Sequence, residues 1–353
     1  MKGDVVIPSR TSPKGSKRGC LCWDTNTYSR KCCDGSLRAQ GVGSFQGQGS
    51  STIISYDVDY ANILNYAEQK GYTTPSQAQK TLQNQLIVDL KKDGLWGSFD
   101  YFYMFATDGD SDFATINWKD PNKYQATKVG STIFASNSGF KSDGSSYLNT
   151  NFIPYSDAEQ MTPTNSSNGV WLLNTLDVSG GTTYIPYGAY KNVASTINKG
   201  YNYGIRAISG LVFGDSNTEQ IGSFIEPYET VWTTNSISGH IHISTKEPKY
   251  YTDVTLSWYQ TNKIYSNGSL VNSRYRQLYT NVLGAEPVFP TSYPSPNTRE
   301  IYVGATNRFD QDGFKLPASN FFTDYISLHY GGASIDDKAN ELYTALNSYM
   351  GSI

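Results

Sequence analysis

Four cysteines fall close together near the start of the chain, as Cys20, Cys22, then Cys32 and Cys33. Thiolates grouped this way could hold a structural zinc ion or close a small disulfide loop. Zinc ribbons and knuckles space their paired ligands about two to four residues apart. Here one pair is tighter and the other adjacent, so the zinc signal is only moderate. Adjacent cysteines do not easily bridge each other, but Cys20 or Cys22 could reach Cys32 or Cys33 across a short loop. Three readings stay open: a staple made by metal or disulfide, thiols packed against a partner, or no special role.

Other residue groups fit chemistry less well. Asp108, Asp110 and Asp112 alternate as calcium ligands do, but an EF-hand needs Gly at its sixth position and Glu at its twelfth. Counting from Asp108, those places hold Phe113 and Lys119, so the run reads as an Asp-rich turn. His240 and His242 alternate with Ile241 and Ile243, which puts both imidazoles on one face of a strand. A metal there needs a third ligand, and His329 has no local support for that place. A solvated or hydrogen-bonded strand face is the expectation. Glycoside hydrolysis needs two carboxylates at a fixed gap. Glu226 and Glu229 flank Pro227 and Tyr228 with the spacing of a loop. No nucleophile elbow, zinc-protease helix or phosphate-cradling loop occurs. No catalytic residue and no organic cofactor is therefore expected.

Binding is better served. Of the chain's residues, 14 % are aromatic, and 28 of these are tyrosines. Tyrosine gives large contact area at low entropic cost, and sugars are held by aromatic faces together with amide and carboxylate hydrogen bonds. Residues 182–204 carry Tyr184, Tyr187, Tyr190, Tyr201 and Tyr203 among Gly and Asn, and a Pro-rich loop at 286–300 carries Tyr293. These six are the candidate ligand contacts. The alternative is that they pack on neighbouring subunits or cover sheet edges.

The elements that must position such groups are mostly strands. Charged residues make up only 17 % of the chain, below the roughly 25 % of ordinary soluble domains. The balance of 28 Lys+Arg against 31 Asp+Glu argues against a nucleic-acid partner, which calls for a basic surface. No apolar run approaches the ~20 residues of a membrane-spanning helix, and the basic N-terminus lacks the apolar stretch of a signal peptide. Residues 1–50 are too poor in aliphatics to offset their ordering entropy, so an extended arm ordered by docking is expected. Residues 51–120 read as a small helical collar. One helix runs from about Tyr60 to Gly71. A second is capped by Thr74, carries Ala78, Leu82, Leu86 and Leu90 on one stripe, and ends at Gly94. The aromatic block Trp96–Phe105 then predicts an exposed face for self-association. From 121 to 353, short alternating runs separated by turns predict a sandwich or barrel. Its strands include Gly169–Leu173, Gly239–Ser244, Thr252–Gln260 and Asp324–Tyr330, with a type I′ hairpin at Asn267-Gly268. A last helix is expected with Ser334 as cap and Ala339, Leu342, Tyr343, Leu346 and Tyr349 on its apolar stripe.

Several stretches read together resemble one family. GFKSDGSSYLNTNFIP (139–154), YQTNKIYSNGSLVNS (259–273) and the run from REIYVGATN to YTALNSYM (299–350) resemble the opening strands, central hairpin and closing strands plus helix of concanavalin-A-like or laminin-G-like domains. GCLCWDTNTYSRKCCDGSLRAQGVGS (19–44) and GYTTPSQAQKTLQNQLIVDLKKDGLWGSFDYFYMFATDGDSDFATINWKDPN (71–122) resemble the leader and collar of virion proteins from phages of Bacteroidetes hosts, including crAss-like phages. The resemblance implies a concanavalin-A-like sandwich, preceded by collar and arm, on a fibre, tail or capsid-appendage protein. Such a protein is made in the host cytoplasm and located in the virion. It would dock on other virion proteins through residues 1–50, self-associate, as a trimer by analogy with phage fibres, and turn a lectin-like face toward host-surface glycans. The alternatives are a capsid decoration or head-fibre protein with no ligand, and a glycan-degrading enzyme of the same fold.

Overall fold

The computed structural model describes residues 20–21, 28–29, 31, 55–162, 165–191, 202–208, 211–215, 230–253, 255–280, 300–309 and 317–353. The chain divides into two compact units, Met1–Ser55 and Tyr56–Ile353. In the first, β1 (Cys20–Leu21) pairs antiparallel with β2 (Tyr28–Ser29), Cys20 standing opposite Ser29. Apart from Lys31, the rest of the expected arm lies outside the described residues.

The second unit opens with two helices. In α1 (Val58–Lys70) the Asp57 carboxylate caps the first turn by accepting from the Asp59 N–H at 2.9 Å, and Gly71 ends it in the left-handed region at φ 74°. Helix α2 (Gln77–Lys92) is capped by Ser76 rather than by the expected Thr74. Pro75 disfavours helical backbone at Thr74, and the Asp110 and Asp108 carboxylates hold the N–H groups of Thr73 and Ser76.

Strands follow in order: β3 (Phe99–Met104), β4 (Thr127–Val129), β5 (Ile133–Ala135), β6 (Gly139–Lys141), β7 (Tyr147–Asn149), then a single turn α3 (Pro154–Asp157). Next come the long strands β8 (Ser166–Asp177), β9 (Tyr184–Lys191), β10 (Asn202–Ile208), β11 (Leu211–Asp215), β12 (Thr230–Thr233), β13 (Ser236–Asp253), β14 (Thr255–Ser266) and β15 (Ser269–Thr280). The chain closes with β16 (Tyr302–Val303), β17 (Asn307–Phe309), β18 (Ile326–Gly332) and helix α4 (Ala339–Met350). They form two 8-stranded sheets. One runs β12-β11-β10-β9-β16-β7-β4, with β17 parallel to β9; the other runs β15-β14-β13-β8-β18-β6-β5, with β3 on β18. The expected hairpin joins β14 to β15, with Asn267 and Gly268 at φ 47° and 78°. The chain is mostly β, as the sequence predicts.

Two cores give three layers. Val170, Leu172, Ile241, Ile243 and Ile326 of the second sheet meet Leu148, Tyr187 and Val303 of the first. The outer face of the second sheet carries Phe99, Phe102, Trp171, Leu328 and Tyr330, and these pack under α1, α2 and α4. The helices are therefore not a separate collar. Strand β3 pairs with β18 inside the sheet, so a boundary at 120/121 would cut through one fold. The aromatic block is likewise not an exposed association face. Trp96 is 6 % exposed, and Phe99 and residues 101–105 are 2 % or less, because alternate residues of β3 fill the two cores.

Helix α4 lays Ala339, Leu342, Leu346 and Tyr349 against the sheet as expected, but Ser334 does not cap it. Its hydroxyl meets that of Ser244 instead, at 2.7 Å. In α2 the buried stripe is turned from the expected one: Ala78 is exposed, and Gln79 and Gln83 are buried with Leu86, Ile87 and Leu90. Amide pairing makes this burial affordable. Tyr60 Oη donates to Gln83 Oε1 at 2.8 Å, Gln83 Nε2 donates to Tyr349 Oη at 3.1 Å, and Tyr349 Oη donates to the Ala106 carbonyl at 2.7 Å. Thr107 Oγ1 donates to Gln79 Oε1 at 2.9 Å. One network thus ties α1, α2 and α4 to the strand end. Gln83→Ala leaves the buried Tyr60 hydroxyl without its acceptor, and should cost about 2–3 kcal/mol in urea unfolding. Gln85→Ala, on the exposed side of the same helix, should stay within about 0.5 kcal/mol.

Candidate functional site

A concavity among the described residues lies on the helical layer. Helix α1 buries Tyr60, Ile63 and Ala67. The 3.6-residue period then sends Asp59, Asn62, Asn65, Tyr66 and Gln69 to one side of it, where they form one wall of a cleft of about 380 Å³. Trp118, Lys119, Asp120 and Asn122 form the facing wall. Asn62, Asn65 and Gln69 are exposed, and no hydrogen bond to the rest of the described chain engages their amides. Trp118, by contrast, is 1 % exposed, and its indole Nε1 has no acceptor among the described residues.

The cleft is held rigidly. Asp59 accepts from Trp96 Nε1 at 2.8 Å and pairs with Lys91 at 2.7 Å. Burial pushes its carboxyl up, but the hydrogen bonds from Lys91 and Trp96 and the Lys91 charge outweigh that, and it is held below the usual carboxylate range. Lys119 donates to the Trp96 carbonyl at 2.6 Å and lies 4.5 Å from the Trp96 ring centroid. Burial lowers its ammonium pKa, partly offset by the charges of Asp59 and Asp100. Lys119 and Asp120 also line a second cleft of about 260 Å³, with Asp100, Lys123, Tyr124 and Glu159. Asp100 is raised by burial, although it accepts backbone N–H groups of Glu159, Gln160 and Met161 at 2.7, 2.7 and 2.9 Å. Those three bonds make it the anchor of the 159–161 turn.

The structure does not gather the expected ligand tyrosines into a site. Tyr187 is fully buried between the sheets, where its hydroxyl donates to Asn168 Oδ1. It presents no face to a ligand, which corrects the expectation: the alternation of β9 turns it inward. Tyr184 is half-buried against the same core. Tyr190 and Tyr203 lie on β9 and β10, with their side chains outside the described residues, as are Tyr201 and Tyr293. Of the cysteines, Cys20 lies on β1, while Cys22, Cys32 and Cys33 fall outside the described residues, as do Glu226 and Glu229. Asp110 accepts from the N–H groups of Thr73, Asp112 and Phe113, and Asp112 pairs with Lys128 at 2.6 Å, so these carboxylates shape a turn. No cluster of His, Cys, Asp or Glu among the described residues could hold a metal ion. The α1 wall was missed in the sequence because the helix was read for its apolar face. Its signal was the polar stripe at positions 59, 62, 65, 66 and 69, which has the same helical spacing.

The class so defined is a mostly antiparallel two-sheet β fold with a helical layer on one face. No protein family model matches the chain, and no curated protein matches it. Among solved structures, it is similar to the binding domain of botulinum neurotoxin serotype D, at 13 % identity and TM-score 0.35, covering 71 % of this chain and 51 % of that one. A mutant of Trypanosoma rangeli sialidase displaying trans-sialidase activity matches at 8 % identity and TM-score 0.34, covering 76 % of this chain and 39 % of that one. The chain thus spans about half the length of the first and about two fifths of the second. No helix among the described residues is long and apolar enough to cross a membrane.

All three histidines are buried. His240 and His242 share the helix-facing side of β13, as the alternation predicts, and both lie 2.8 Å from the Tyr330 hydroxyl. With both rings neutral, that hydroxyl can donate to one and accept an N–H from the other. Gly169 makes room for it, since a Cβ there would stand 2.2 Å from Tyr330 Oη. His329 points to the opposite face. Its Nδ1 donates to the Gly169 carbonyl at 3.0 Å, and its Nε2 accepts from Tyr101 Oη at 3.1 Å. It does not join the other two around a metal. Burial holds His242 and His329 down to about 3, and His240 well below its ordinary value. The unfolded chain takes up these protons near pH 6.5 while the folded chain refuses them, so their contribution to stability is full above about 6.5 and is lost as pH falls toward 3. Urea midpoints should hold between pH 8 and 7 and decline from 6.5 to 5, a window above the carboxylate range. A flat profile there would contradict neutral burial.

Proposed function

We propose that this chain is a structural protein of a bacteriophage particle, a fibre or a tail or capsid appendage, whose body contacts host-surface glycans without catalysis. The observation that carries this reading is the division of the chain. A leader of residues 1–55 forms a unit of its own, and the body closes both of its hydrophobic cores within itself. Among the described residues, most large apolar side chains of the body are buried within it, and the leader is the part assigned to attachment. The body's helical layer offers a cleft walled by amides, carboxylates and a tyrosine, the side-chain chemistry that grips hydroxyl-rich ligands. Many copies on one particle turn weak single contacts into firm adhesion.

An antibody raised against the body should label intact purified phage particles, and the biotinylated full chain should capture host-surface polysaccharide. Absence from purified particles would overturn the virion role. Presence on particles with no glycan capture would favour the decoration reading, and release of reducing ends from that polysaccharide would favour an enzyme.

A further inference from the structure

Two buried imidazoles share one hydroxyl beneath helix α4. Tyr330 Oη stands 2.8 Å from His240 Nε2 and 2.8 Å from His242 Nδ1, and the two imidazole centroids lie 6.0 Å apart. A hydroxyl has one proton to give and lone pairs with which to accept. With both rings neutral, one ring takes that proton and the other donates to the oxygen. A further proton has no good place. His240 Nδ1 and His242 Nε2 are buried, and neither has a hydrogen-bond partner among the described residues. An imidazolium there is a desolvated cation beside a second imidazole.

The groups that face the pair supply no countercharge. Strand β18 brings Tyr330, and β8 brings Trp171 and the Asn168 carbonyl, which favours a charged His242 but is outweighed by burial. Strand β14 brings Tyr265, whose ring lies 5.7 Å from His242 and whose hydroxyl donates to Asp336. That carboxylate already pairs with Lys263 at 2.6 Å, and Asp337 pairs with Lys246. The turn residue Asn267 accepts the His240 backbone N–H. Helix α4 brings Tyr343, which stacks on His240 at 6.3 Å and on Trp171 at 6.1 Å. Tyr343 is half-buried, and its hydroxyl lies 3.4 Å from Asn347 on the exposed side of the helix. It therefore spans from the imidazole to the surface.

We propose that this cluster makes the seat of α4 acid-sensitive: a proton taken up by His240 or His242 lifts the helix, with Tyr343, off the second sheet while the two sheets stay packed. His329, on the opposite face, keeps both ring nitrogens engaged by the Gly169 carbonyl and Tyr101. Lifting α4 uncovers Trp171 and Tyr330. The device does not depend on the adhesion reading above. A ring that reaches water regains an ordinary pKa near 6.5, so between about pH 7.5 and pH 5 the open form gains about thirtyfold per ring. The closed form holds its full advantage above about 6.5 and loses it as pH falls.

Hydrogen exchange of the full chain, corrected for the intrinsic pH dependence of amide exchange, reads this directly. Amides of residues 342–350 in α4 should lose at least tenfold of their protection between about pH 7.5 and pH 5, and up to about a thousandfold if both rings open to water. Strands β7 and β16 of the first sheet should lose less than α4. His240→Phe keeps an aromatic ring against Trp171 and Tyr343 and leaves Tyr330 to His242, and it should shrink the loss in α4 by its thirtyfold share. Independently of that variant, ring-nitrogen spectra of the unaltered chain should show two imidazoles taking up protons over the same pH range in which α4 opens. Unchanged protection of α4, an equal loss in the first sheet, an undiminished loss in His240→Phe, or protonation of both rings with α4 still protected overturns the proposal.

Discussion

Burying the second sheet on both faces is the constraint from which the rest of the structure follows. A sheet covered on one side can leave its other side polar. This one has Val170 and Leu172 facing the first sheet and Trp171 between them facing the helices. A polar group carried inside is then costly unless it finds a partner, because a desolvated donor or acceptor left alone costs more than a typical net hydrogen bond supplies. The Gln79 and Gln83 amides, the Tyr60 and Tyr349 hydroxyls and the Tyr330 hydroxyl between two imidazoles meet that demand. They also fix where the helices sit, since an amide network is satisfied in one arrangement and an apolar contact in many.

That anchoring determines the cleft. With Tyr60, Ile63 and Ala67 turned into the core, helix geometry places Asp59, Asn62, Asn65 and Gln69 on the side that lines a cleft with the loop at 118–122. Asp59 is pinned at one end by Lys91 and Trp96, and Lys119 is pinned across from it by the same tryptophan. Trp96 thus ties the two walls together through its ring, its indole nitrogen and its carbonyl. Groups set on a helix and a braced turn keep their positions without a ligand, the arrangement that keeps an ordering cost low.

The histidines show the opposite use of similar chemistry. Imidazoles on an alternating strand can be a metal site, an acid–base pair or a packed pair, and the difference lies in what faces them. Here Tyr330, Trp171 and Tyr343 surround His240, and an aromatic, water-poor wall favours the neutral ring. The alternation was plain in the sequence. The tyrosine that bridges the two rings is 88 residues from His242 and was not.

The sequence by itself determined what local rules govern. The β-rich class, the amphipathic end helix, the cap at Gly71, the Asn267-Gly268 hairpin and the shared face of His240 and His242 all follow from period, propensity and turn chemistry acting over a few residues. Tertiary structure alone decided which way each face is covered. The block at 96–105 reads as a sticky exposed patch until β3 is seen paired with β18. Tyr187 reads as a ligand contact until the first sheet turns it toward Asn168. The polar stripe of α1 reads as plain surface until the 118–122 loop is seen to form the facing wall of a cleft beside it. Each of these outcomes depends on groups far apart in the chain, and contacts of that separation leave no local pattern by which they could be read.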